Sequence, residues 1–104
     1  MSIEYTAKIN SDSIDSMLEE ALSSPEIQVL TQVLSVQGDT FTLRWKGPTP
    51  LRVDWPEDIS VRAYDGTVII SFHTASRHQR ATLLELIATR LSILSSNDVY
   101  FEEI

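Results

Sequence analysis

The stretch ISVRAYDGTVIISF, Ile59 to Phe72, decides how the rest of the chain folds. Asp-Gly at 65–66, set between two alternating runs, is the strongest short hairpin signal in the sequence. Pairing the runs around it opposes Ala63 to Val68, Val61 to Ile70 and Ile59 to Phe72, all apolar. The opposite face pairs Tyr64 with Thr67, Arg62 with Ile69 and Ser60 with Ser71, and His73 follows on that side. One dry face and one mixed face are what an antiparallel sheet covered on a single side requires.

The same register test applies upstream, where Gly38-Asp39 is the turn. It sets Val36/Phe41, Leu34/Leu43 and Gln32/Trp45 on one face, with Gln37/Thr40, Ser35/Thr42 and Val33/Arg44 on the other. Strands are therefore expected over about 27–37 and 40–46. Residues 25–31 read both ways. Ser24-Pro25-Glu26 resembles a helix start, since proline suits the first helical position, yet Ile27, Val29, Thr31 and Val33 are β-branched. Between the hairpins, LRVDW (51–55) alternates Leu51, Val53 and Trp55 with Arg52 and Asp54, as a further strand would, with GPTP and PED at its corners.

Outward from the hairpins the period changes. Ile3, Tyr5, Ala7 and Ile9 alternate with Glu4, Thr6 and Lys8, predicting a half-buried strand. Ile14, Met17, Leu18, Ala21 and Leu22 then form one helical stripe that Pro25 ends. Ser76 and Gln79 fit a capping box, and beyond them Leu83, Leu84, Ile87, Ala88, Leu91 and Leu94 share one arc of a helical wheel. The tail VYFEEI suits a last strand. The order β-α-β-β-β-β-β-α-β predicts a single α+β domain over 1–104: an antiparallel sheet of about six to seven strands with two helices on one face.

Composition narrows the function classes. A 104-residue chain buries about 65% of its unfolded surface, enough for a core without staples. There is no cysteine, so disulfides and thiolate metal sites are excluded. No apolar run approaches the roughly 18 residues that span a bilayer, so no membrane association is expected. The start MSIEYTAKI lacks the segments of a signal peptide, which favours a cytoplasmic location. Net charge is −7, and −6 of it lies in residues 1–43, where Lys8 stands against seven acids. This is no field for nucleic acid, and a basic protein is the better electrostatic match.

Enzyme signatures do not emerge. Three glycines leave no phosphate loop, no nucleophile-elbow motif is present, and His73 and His78 lack metal-ligand spacing. No metal, cofactor or catalytic residue is expected. Adjacent acids such as Glu57-Asp58 and Glu102-Glu103 read as solvated surface. Two features ask for more. Asp12, Asp15 and Glu19 read as an acidic stripe on the first helix, where like charges repel weakly. Leu86 and Ile93, opposite the core arc of the second long helix, read as an apolar strip. Together these five residues are the candidate surface for a partner. Arg77, His78 and Arg80 crowd the first turn of the same helix, where the dipole disfavours cations. They form either an anion site or, through Arg80, a clasp to an acid such as Asp98. The expectation is a small acidic binding protein, of the inhibitor or immunity type, that neutralises a cationic toxin or nuclease. A small-anion or catalytic module at Arg77, His78 and Arg80, and a homo-oligomeric scaffold such as a homodimer, are the alternatives.

Overall fold

A computed structural model describes residues 2–47 and 57–104. In chain order the elements are β1 (Ile3–Lys8), α1 (Ile14–Leu22), α2 (Pro25–Gln28), β2 (Thr31–Gln37), β3 (Thr40–Trp45), β4 (Ile59–Tyr64), β5 (Thr67–Phe72), α3 (Arg77–Ser95) and β6 (Glu102–Glu103). The strands form one antiparallel sheet in the order β2-β3-β4-β5-β1-β6. This is an α+β fold. The strand expected at 51–55 lies outside the described residues.

The β4–β5 hairpin has the register its sequence predicts at all six positions, from Ile59↔Phe72 to Tyr64↔Thr67. Its turn places Asp65 at φ 49° and Gly66 at φ 75°, the left-handed pair of a type I′ turn. β1 enters on the far side of β5, Ile3 opposite Phe72 and Ala7 opposite Val68, which extends the dry face by one strand. Phe41, Leu43, Ile59, Val61, Val68 and Ile70 on that face form one core with Leu18 and Leu22 of α1 and Leu83, Ile87 and Leu91 of α3. Burying each such side chain contributes about 1.5–3 kcal/mol. α1 and α3 also pack on one another.

The β2–β3 hairpin departs from expectation. Near the turn the predicted pairs Gln37↔Thr40, Val36↔Phe41 and Ser35↔Thr42 form. A bulge at Leu34 then shifts the register, so Leu43 pairs with Val33 and Trp45 with Thr31, where Leu34 and Gln32 were expected. The extra residue lets an inward position fall on Thr31, which is 2% exposed and donates its hydroxyl to Ile27 O at 3.1 Å. β2 also starts at Thr31 and not at 27, because residues 25–28 are helical. Pro25 sits at the start of that turn, and Ile27 is driven fully into the core. Burial of one side chain and the fixed φ of proline outweigh the β preference of Ile27 and Val29.

The α3 start is the predicted capping box. Gln79 N donates to Ser76 Oγ at 3.1 Å, and Ser76 N donates to Gln79 Oε1 at 2.8 Å. Asp58, expected at the solvated surface, is buried, and its carboxylate accepts the backbone N–H of Trp45 at 2.9 Å.

Candidate functional site

Three turns meet at one end of the sheet. Ile9 N donates to Gly66 O at 2.9 Å, and Ala63 N donates to Asp39 O at 3.1 Å, tying the β1–α1 link and the β2–β3 turn to the β4–β5 turn. Hairpin chemistry is why acids collect here: Asp39 and Asp65 are turn residues, and Asp12 and Asp15 flank the start of α1. These four aspartates line one open cleft of about 340 Å³, with Tyr64 and Ile14 as its apolar walls. No cation lines it among the described residues. Nor is any group of three His, Cys, Asp or Glu among the described residues placed to hold a metal ion. Carboxylates spread around an open cleft suit a lysine or arginine head group, which keeps part of its hydration, better than the tight shell of a metal.

The predicted acidic stripe is thus regrouped. α1 begins at Ile14, so Asp12 belongs to the preceding loop and not to the helix flank. Asp12 and Asp15 meet Asp39 and Asp65, while Glu19, one turn further along α1, does not line the cleft. The sequence signal for the other two acids was the pair of hairpin turns that carry them, but alternation fixes the register within each hairpin and not which turns share an end of the sheet.

Leu86 and Ile93 do share a groove, of about 460 Å³ between α2 and α3. They differ in exposure. Ile93 is 63% exposed, whereas Leu86 is half-buried and packs on the core. α2 covers that flank of α3, and its Glu26 is bridged to Arg90 at 3.0 Å. The expectation of an outward strip overlooked this short helix.

Arg77, His78 and Arg80 do not converge. His78 borders a small cavity with Trp45 and Lys46 that neither arginine lines. Arg80 turns back on its own approach, Nη1 donating to Ala75 O at 3.2 Å, and its Nε is buried without a partner among the described residues. The clasp expected between Arg80 and an acid such as Asp98 is absent among the described residues, and Glu26 pairs instead with Arg90. Arg77 is exposed.

The open face of the sheet carries a further polar group. Ser2 Oγ lies 2.7 Å from His73 Nδ1, and Ser60 Oγ lies 3.1 Å from His73 Nε2. A neutral imidazole carries one N–H, so it donates to one hydroxyl and accepts from the other. Beside it Ser71 donates to Glu4 Oε2 at 2.8 Å. These contacts tie β1, β4 and β5 across the solvent side.

No protein-family model matches this chain, and no curated protein or solved structure matches it either.

Proposed function

We propose that the chain is an acidic protein-binding module whose Asp12, Asp15, Asp39 and Asp65 cleft takes a lysine or arginine side chain of a basic partner. The observation that carries this reading is the convergence of four carboxylates, from two hairpin turns, the β1–α1 link and the start of α1, on one cleft with no cation lining it among the described residues. The net charge of −7 draws a cationic protein toward that cleft, which raises the rate of capture more than the final affinity. In this role the module is an inhibitor or immunity-type protein for a cationic toxin or nuclease.

An oligolysine peptide titrated into the labelled protein tests it. Amide shifts should cluster at residues 12, 15, 39 and 65. Asp12→Asn, Asp15→Asn and Asp65→Asn together should weaken binding about tenfold, equivalent to roughly 1.4 kcal/mol. Asparagine suits position 65 because it tolerates the positive φ there. Shifts scattered over every acidic surface, indifferent to the three substitutions, would sink the proposal.

A further inference from the structure

We propose that β2 is the pairing edge of a two-fold dimer, in which β2 of a second copy adds antiparallel and joins the two sheets. The two edges of the sheet are unequal. β6 is a two-residue strand of Glu102 and Glu103, short and charged, the usual protection of an edge. β2 has seven residues, TQVLSVQ, without a charge or a proline. Every residue after Thr31 is exposed, including Val33, Leu34 and Val36 at 38%, 43% and 55%. Among the described residues no strand meets its outer backbone N–H and C=O groups. Such groups call for extended backbone.

Two features make a second copy the occupant. The first is the bulge. Ordinarily Val33 and Val36 would point to opposite faces, but the bulge at Leu34 places both opposite inward residues, Leu43 and Phe41. Gln32 and Gln37 likewise both fall on the outer face, opposite Arg44 and Thr40. A two-fold axis between Leu34 and Ser35 therefore sets Val33 against Val36 of the other copy, and Gln32 against Gln37. Apolar meets apolar at Val33 and Val36, amide meets amide at Gln32 and Gln37, and each of these pairs shares a face, with Leu34 opposite Ser35 at the axis.

The second feature is charge. The Thr31 end of β2 adjoins Lys46, bonded through its backbone N to Leu30 O at 2.9 Å, while the Gln37 end leads into Asp39. Antiparallel pairing brings the basic end of each copy beside the acidic end of the other; parallel pairing would oppose like ends. The backbones bearing these charges would stand three strand spacings apart, roughly 14 Å, and the Lys46 side chain closes that gap to about a Debye length.

Sedimentation from micromolar to millimolar concentration should show a reversible shift from 11.7 kDa to twice that mass. Amides of residues 32–37 should become more protected from hydrogen exchange as concentration rises. Val33→Lys with Val36→Lys should keep the circular dichroism spectrum and remain monomeric. Lys46→Glu should raise the dimer dissociation constant several-fold, and adding Asp39→Lys should restore it. A monomer at every concentration would overturn the proposal, as would a dimer that persists in the double lysine variant or leaves β2 exchange unchanged. If the double lysine variant unfolds, the concentration dependence of exchange in the unaltered protein decides alone.

Discussion

The carboxylate of Asp58 accepts the backbone N–H of Trp45 at 2.9 Å across thirteen residues of chain. The same residue's backbone donates to Leu43 O at 2.9 Å and accepts from His73 N at 2.8 Å and Thr74 N at 3.3 Å. Trp45 closes the circuit by donating its ring Nε1 to Thr74 O at 2.7 Å. One buried acid thus joins β3, the start of β4 and the approach to α3. Asp58→Ala should cost about 1–3 kcal/mol in denaturant unfolding, the penalty for stranding a buried N–H. Asp58→Asn, which keeps an acceptor oxygen, should cost less. Equal stability of all three proteins would mean that the bond contributes nothing.

Leu91 and Ile93 lie two residues apart on α3 with opposite fates, one fully buried and one 63% exposed. Leu91→Ala should destabilise by about 2–5 kcal/mol and Ile93→Ala by less than about 0.5 kcal/mol. Leu86→Ala should fall between them. Comparable losses at Leu91 and Ile93 would show that the face of α3 is wrongly assigned.

Glu26 should titrate below its ordinary value of 4.5, held there first by its backbone N–H and then by the Arg90 guanidinium. A carboxyl lowered on folding contributes stability above its unfolded pKa, and that contribution is lost as pH falls through the lowered value. Both partners are solvent-exposed, so screening keeps the effect small. Carbon-detected titration of Arg90→Gln should move Glu26 only partway back, since the larger cause remains. A full return would assign the whole shift to Arg90.

For Arg77 and Arg80, phosphate and chloride should be compared at equal ionic strength. With Arg80 bonded to Ala75 O and the three basic residues spread over different surroundings, any stabilisation by phosphate should survive in Arg77→Gln, Arg80→Gln. Arg80→Gln alone should lower stability by about 0.5–1.5 kcal/mol, one hydrogen bond's worth. Loss of the phosphate effect in an otherwise stable double variant would restore the anion-site reading.

Alternation and turn chemistry made the β4–β5 register legible to the residue, because Asp65-Gly66 admits one tight turn and every inward partner is apolar. Ser76 and Gln79 were equally legible, since a capping box is local. The bulge at Leu34 was not: an extra residue in a strand leaves the apolar count unchanged, and only the need to bury Thr31 beside Ile27 fixes it. Nor was the cleft visible as a unit. Its aspartates are separated by up to 53 positions and meet only because two hairpin turns and the β1–α1 link share one end of the sheet. Asp58 misled for the opposite reason, as a neighbour of Glu57 that looked solvated until its backbone partners were known.

The position of β1 bears on the order of assembly. It precedes every other element in the chain, yet its ladder joins Ile3 to Phe72, a closure across 69 residues, while the two hairpins close across a few. Loop-closure entropy lets such local pairs form early and defers distant ones. During synthesis β1 therefore has no strand to join until β5 emerges, and β6 must wait for β1 in turn. For that interval its alternating apolar residues Ile3, Tyr5 and Ala7 are a sticky ribbon, and Glu4 and Lys8 are the charges that hinder its capture by another nascent chain.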